Sequence, residues 1–519
     1  MKKKVLALIL AMTTASGLIA GCGGSSTTTE TTTSDDKAAT AETSTESAAA
    51  DAESGEVPTI KIAYNIMFPA TDEEAIEEAI NKVMVEKAGA KIDFVGVEFA
   101  NIQTQYNLML TGGDNTVDLF NSFWYTTESN LVANGQVMEL DDLLASDGQG
   151  ILDIYSGDMA DYLDCGKING KQYGIPCVYA FECENLYEVR KEDSDAANID
   201  WSSVTDLDSL TDAMVSMKEA NPDHYYVPGS TDPYWVPKSI DYLGDTNYLG
   251  VLLDPVNSTT VENYYESDYF KDFLEHVKVW KEKDLISPDP LSNTNPTLMN
   301  ILAGVAHGTP GYNWDAQAGI EATSKQNNME MVGTAITEPL ATTGEVTTYM
   351  WHMSTFCTNP QAAMRVLNVM YTDPEVAQLC ANGIEGLDYV LNDEGKMEYP
   401  NENGLSGIGW GAASMAFWPN VTLCPSWSYE DDNQYGLMAS KRDSAQKSKA
   451  LGFQFDSTPV ADQMTACANV VAQYYNPIML GETDIDKALP EFQEALKTAG
   501  IDEIIAEKQK QLDAWLAAK

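Results

Sequence analysis

The chain has 519 residues and a formal net charge of −49, from 30 basic and 79 acidic side chains. Nucleic-acid binders neutralise phosphates with clustered Lys and Arg; Arg occurs here only at Arg190, Arg365 and Arg442, so that class is excluded. Apolar residues make up 44%, enough for a sizeable core, and no internal stretch approaches the roughly 18 uncharged apolar residues of a membrane span, which excludes a multi-pass membrane protein.

Lys2, Lys3 and Lys4 form a positive start, Val5 to Ala20 an apolar stretch, and Gly21-Cys22 a small-residue end. This pattern predicts a secretory signal peptide over residues 1–21. The run Ile19-Ala20-Gly21-Cys22 resembles a bacterial lipobox, with Ile19 where Leu is commonest. In a lipobox the Cys becomes the diacylated first residue of the mature protein, which leaves it outside the cell yet tethered. Residues 23–57 hold eight acids, one Lys and a single large apolar residue, Val57. Such a composition cannot bury enough surface to fold, and its self-repulsion extends it. Residues 22–57 are therefore expected to be a lipidated Cys and a disordered tether.

The folded part begins with Thr59 to Tyr64, an alternating strand, followed by a helical face at Ile76, Ile80, Val83 and Met84. Lys91 to Phe99 reads as a second strand, Ile102 to Leu110 as a helix closed by Gly112-Gly113, and Val117 to Phe120 as a third strand. Alternating strands and helices imply a parallel sheet with right-handed crossovers. Ligands of such sheets sit beyond the carboxyl ends of the strands, which points to Phe68, Asn121 and Trp124. Lys167 to Pro176 reads as a hairpin about Asn169-Gly170, and Val178 to Val189 as an extended stretch carrying Glu182 and Glu184. Helices are predicted at Leu207 to Ala220 and Tyr269 to Lys283, then helix, strand and an aromatic loop from Asn300 to Asp315. Asn359-Pro360 and Asp373-Pro374 start two helices, and Tyr389 to Tyr399 forms a second hairpin. A helix to about Tyr474 and two more, Ile485 to Ala499 and Asp502 to Leu516, complete the chain, the last pair split by Gly500 as a C-cap.

With Cys22 set aside, seven cysteines remain, and none makes a CxxC or Cys/His zinc spacing. They are expected to be small buried hydrophobes. The four histidines, His224, His276, His307 and His352, are not paired at metal spacing, so neither a metal nor a cofactor is expected. No Ser elbow, P-loop or dinucleotide-binding glycine loop follows a strand.

Gly170-Lys171-Gln172-Tyr173-Gly174-Ile175-Pro176, the Trp314 loop, and Thr358 to Ala363 before a helix are similar to segments of the extracellular solute-binding proteins of bacterial ABC importers, in the branch containing maltose-binding protein. Asn382-Gly383-Ile384-Glu385-Gly386-Leu387-Asp388-Tyr389 resembles the YGIEGKHY segment of a Gram-positive aldouronate or multiple-sugar-binding subfamily, with Asn382 for its Tyr and Leu387-Asp388 for its Lys-His. Gly452 to Asp456 and the C-terminal helical pair match it as well. The resemblance implies an α/β fold of two lobes joined at a hinge, closing on a sugar that the importer's membrane subunits then receive. The first lobe would take 58–176 plus about 345–425, the hinge crossing 177–189, and the second lobe about 190–344 plus 426–519.

Aromatic faces stack on sugar C–H faces while acids and amides take hydroxyls. That chemistry makes Trp314 with Asp315 the first candidate pair, the family loop commonly carrying a stacking aromatic. Tyr234, Trp235, Trp351 and Trp410 join it from other Gly- or Pro-punctuated loops, and Glu182 is the hinge candidate. The expected function is a lipid-anchored, cell-surface, monomeric substrate-binding protein of an ABC importer that captures an oligosaccharide. Three arginines offer little for uronate carboxylates or peptide termini, which favours neutral or only weakly charged oligosaccharides over a peptide ligand. A surface glycoside hydrolase using Glu182 and Glu184 is the third reading, and a binding protein without enzymatic activity is preferred to it.

Overall fold

Thr59–Ile66, Lys91–Glu98 and Leu119–Asn121 form the expected parallel strands, with Ile62 in register with both Phe94 and Leu119. The computed structural model describes residues 57–67, 70–123, 125–413 and 416–519, apart from the side chain of Ser406. The signal peptide, Cys22, almost all of the tether, Phe68 and Trp124 lie outside the described residues. The helix Glu73–Lys87 crosses between the first two strands and buries the anticipated stripe Ile76, Ile80, Val83 and Met84. The third strand begins two residues later than its apolar run, because the Asp118 carboxylate itself accepts from the Lys61 amide at 2.7 Å. Two distant segments complete this sheet. Met350–Met353 pairs antiparallel with Leu119–Asn121 on one side and with Gly174–Pro176 on the other.

The second sheet is built around Glu182–Arg190. Gly308–Asn313 pairs along one edge of that strand, Glu184 facing Asn313 and Val189 facing Gly308. Met331–Ala335 and Leu340–Ala341 share the other edge, and Gln446–Lys447 lies beyond. All the pairings of the central strand are antiparallel. It is buried over most of its length, so the alternation that would mark a half-exposed strand is absent from its sequence.

Each sheet has its own apolar core. One gathers residues from Ile60 to Phe181 and from Ala341 to Leu451. The other runs from Tyr187 to Ile286 and takes in Val460 to Ile504 from the C-terminal helices. The helices sit close to where their sequence signals put them. Pro360 and Pro374 each occupy the first helical turn, and Asp373 caps the second of these helices through the amides of Glu375 and Val376. Gly500, at φ 102°, accepts the left-handed conformation that ends Ile485–Ala499 and begins Ile501–Ala518. Asn169 and Gly170, at φ 52° and 80°, form the two-residue turn between Lys167–Ile168 and Lys171–Gln172. The seven described cysteines are buried and unpaired. Among the described residues no helix is long and apolar enough to cross a membrane.

Candidate functional site

The amino-terminal end of the Glu182–Arg190 strand is where the two sheets approach each other. Tyr179 lies just before it, Asn313 ends its neighbouring strand, and Trp314 follows in the loop. The helix Ala316–Asn327 starts beside them, and the segment Tyr429 to Leu437 faces them from the start of the helix Gln434–Ser444. Together these elements line a cavity of about 240 Å³, walled by Tyr179, Trp314 and Tyr429 and by the polar side chains of Asn313, Glu321, Gln326, Glu430, Asp431 and Gln434. A few placed polar groups among aromatic walls is the composition of a small-molecule site.

Each wall is held from behind. Tyr429 stacks on Trp427 at 5.8 Å and 17°, and Trp427 in turn packs on Tyr399 at 4.5 Å. Glu430 accepts from the Trp427 amide at 2.8 Å and from the Gln434 carboxamide at 3.0 Å. Burial raises the pKa of Glu430 against the effect of those hydrogen bonds. Tyr179 meets Tyr349 edge-on at 6.3 Å, and Tyr349 packs against Phe123 at 4.9 Å. Aromatic surface therefore continues from the cavity toward the first sheet.

Asp315 has a more structural task than its sequence position suggests. One carboxylate oxygen caps the Ala316–Asn327 helix through the Ala318 amide at 2.9 Å, and the other meets Lys441 at 2.9 Å. Glu184 accepts from the Ala316 amide at 2.7 Å and from the same Lys441 at 3.1 Å. Lys441 thus ties the Gln434–Ser444 helix to the strand and loop that carry Trp314. Glu182 is buried, takes one hydrogen bond from the Phe181 amide at 3.1 Å, and leaves its second oxygen without a partner. Burial pushes its carboxyl up to about 7. Glu184 is therefore anchored by a helix amide and a lysine, whereas Glu182 is a buried carboxyl with Arg442 and Lys441 as the nearest charges acting on it.

The other sequence candidates divide sharply. Trp314 is half-buried and forms a cavity wall. Trp351 and Trp410 are 0% exposed, which corrects their assignment as ligand platforms. Both stack on Trp418 at 6.0 Å, and their indole N–H groups are spent on the carbonyls of Phe417 and Cys380 at 2.8 Å. Asn121 is corrected likewise: its amide donates to the Phe417 carbonyl at 3.0 Å and its oxygen accepts from the Phe123 amide. Tyr234 and Trp235 belong to the second core, Tyr234 donating to the Met479 carbonyl at 2.6 Å and Trp235 stacking on Phe273 at 5.0 Å. Tyr234 is 4% exposed and Trp235 2%, although Trp235 also borders a separate cavity with Ser239 and Tyr269. Sequence reasoning missed Tyr179, Tyr429, Gln434 and Lys441; only the aromatic density around Trp427 hinted at the second of these. It also missed that Asp193, His224 and His307, distant in sequence, come together at the far end of the second sheet.

Comparisons with known proteins agree on one kind of molecule. The family described as bacterial extracellular solute-binding protein matches residues 69–377, and a domain of unknown function matches residues 449–517. A carbohydrate ABC transporter substrate-binding protein of Streptococcus pneumoniae is 27% identical over 478 residues, 90% of this chain and 93% of its own. The crystal structure of the N-glycan transport solute binding protein of Streptococcus pneumoniae superposes with a TM-score of 0.76 at 22% identity, over 89% of this chain and 99% of that one. An HMO-binding, ABC-transporter-associated solute binding protein of Bifidobacterium longum infantis gives 0.61 at 15% identity, over 88% and 99%.

Proposed function

The chain belongs to the bacterial extracellular solute-binding protein family, and from that premise we propose that it binds a neutral oligosaccharide and delivers it to the membrane subunits of an ABC importer. The observation that carries this reading is the cavity itself. Trp314, Tyr179 and Tyr429 supply ring faces, and Asn313, Gln326 and Gln434 supply carboxamides that both donate to and accept from hydroxyls. The same lining sets the charge of the ligand. Glu321, Glu430 and Asp431 are its charged groups, and no Arg or Lys is among them. A uronate or a peptide C-terminus would meet carboxylates where it needs a cation. The carbohydrate, N-glycan and HMO ligands of the streptococcal and bifidobacterial relatives point the same way.

The division of labour within the fold follows. The two cores form the two lobes, joined near residues 177–189, near the Leu340–Ala341 strand and again near 446–460, and a ligand is trapped as they close. Cys22 carries the lipid that holds the protein at the outer face of the membrane, with residues 23–57 as a spacer, and the protein acts as a monomer without enzymatic activity. Calorimetric titration against neutral oligosaccharides, uronic-acid oligosaccharides and peptides tests the ligand class. Saturable binding confined to the neutral glycans is expected; binding confined to peptides or uronates would overturn it. Release of reducing sugar, lost in Glu182→Gln, would instead favour the hydrolase. Cys22→Ser should send the protein into the medium, and unchanged membrane retention would refute the anchor.

A further inference from the structure

The carboxyl-terminal end of the Glu182–Arg190 strand brings together three residues from separate segments. Asp193 follows the strand in the short helix Lys191–Ala197, and His224 lies in the turn after Leu207–Ala220. His307 immediately precedes Gly308, the partner of Val189. At about 3.3 Å per strand residue, the Gly308 end lies roughly 20 Å from Trp314, so the cluster is separate from the cavity. The backbone fixes its frame: the His307 amide donates to the Tyr225 carbonyl at 2.7 Å, and the Arg190 amide donates to the His307 carbonyl at 2.9 Å.

Asp193 is fully buried beneath two imidazole rings whose centroids are 3.7 Å apart. Its two oxygens lie 2.6 Å from His224 Nδ1 and 2.7 Å from His307 Nδ1, and Tyr226 donates to the first of them at 2.8 Å. Burial alone would raise the Asp193 pKa, but hydrogen bonds from His307, His224 and Tyr226 hold it down to about 2. No hydrogen bond joins either Nε2 to another described residue. One ligand atom from each of the three residues lies within 4.8 Å of the others. Lys218, a nearby cation, is taken up by the His224 carbonyl and by Asp284, both at 3.0 Å.

We infer that Asp193, His224 and His307 form a binding site for a divalent transition-metal ion, held by two imidazole nitrogens and a carboxylate oxygen with water completing the shell. Two imidazoles and one carboxylate suit zinc, nickel, copper or ferrous iron; calcium and magnesium take oxygen ligands. Metal–ligand distances of about 2.0–2.2 Å place neighbouring donors about 3.3 Å apart, so the present contacts need to open by roughly half an ångström. Ligation through Nδ1 is balanced in protons: the Nδ1 proton leaves to solvent and Nε2 takes one up. The ion would clamp the strand end, the Lys191–Ala197 helix and the turn at His224 within one lobe.

The test uses untagged full-length protein, dialysed against chelator and titrated calorimetrically with zinc chloride and, separately, with nickel chloride. One ion per chain should bind at micromolar concentration. His224→Gln and His307→Gln should each weaken binding at least about tenfold, while His276→Gln, whose ring hydrogen-bonds Thr211 elsewhere, should leave it unchanged. The absence of saturable binding, or binding indifferent to both cluster substitutions, would overturn the site. His307 is the more deeply buried of the two; should its substitution fail to fold, His224→Gln and the visible spectrum of cobalt-loaded wild type decide the question. Ligand-field bands that vanish on zinc addition are expected, and their absence would refute the inference.

Discussion

Trp410 and Trp314 look alike in sequence, each an aromatic in a turn-rich loop, yet the fold uses them in opposite ways. Trp410 is sealed between Tyr64 at 5.1 Å and Trp418 at 6.0 Å, with its N–H on a backbone carbonyl. Trp314 keeps a face toward a cavity whose opposite wall comes from another part of the chain. What separates them is the arrival of long-range partners. Tyr64, from the first strand, packs on Trp410 in the folded core, whereas Trp314 is left half-buried at a cavity wall. A core tryptophan is a stability element; a wall tryptophan is free to be a binding element.

Breaking the core member should have the largest effect. Trp410→Ala deletes a fully buried ring with a satisfied hydrogen bond and should cost about 3–5 kcal/mol of stability, read by chemical denaturation. A loss below about 1 kcal/mol would place Trp410 outside the core.

The buried carboxyl of Glu182 gives the next largest effect, and its sign is fixed by the direction of its shift. Glu182 rises from 4.5 to about 7 in the folded protein because burial disfavours its charge. The folded state then holds a proton that the unfolded state has released. The resulting stabilisation is complete below about pH 4.5 and is lost as pH rises through about 7. Glu182→Gln should remove a pH-dependent difference on the order of 2–3 kcal/mol between pH 5 and pH 8, stabilising the protein relative to wild type at the higher pH. Parallel stability profiles for the two proteins would contradict this.

A smaller effect is expected at the Lys441 junction. Lys441→Met leaves Glu184 and Asp315 without their shared cation, although each keeps a backbone amide donor. A loss of about 1–2 kcal/mol is expected. In a double-mutant cycle, Glu184→Gln should recover part of it; strictly additive losses would show that the pair does not interact.

How much of this was legible beforehand follows from the range of the contacts. Thr59–Ile66, Glu73–Lys87 and Lys91–Glu98 were readable because apolar spacing is a local signal. The Met350–Met353 strand, inserted antiparallel into a parallel sheet, was not, because its register depends on partners more than 170 residues away at Gly174–Pro176. The site divides in the same way. Trp314 was found from its loop, but Tyr179 and Tyr429 become walls only when three segments meet. Asp315, chosen as a hydroxyl acceptor, turned out to cap a helix and hold Lys441. The sequence offers no means of seeing that Asp193, His224 and His307 converge, since no spacing rule links them.

The central claim is that Trp314 marks the face on which a neutral oligosaccharide is captured. The most direct test is calorimetric titration of wild type and Trp314→Ala with whichever neutral glycan binds best, alongside a melting curve of each. The account predicts an unchanged melting temperature and binding weakened about 30-fold or more, the equivalent of about 2 kcal/mol for a hot-spot tryptophan. Wild-type affinity in a normally folded Trp314→Ala protein would contradict it and move the ligand to another surface.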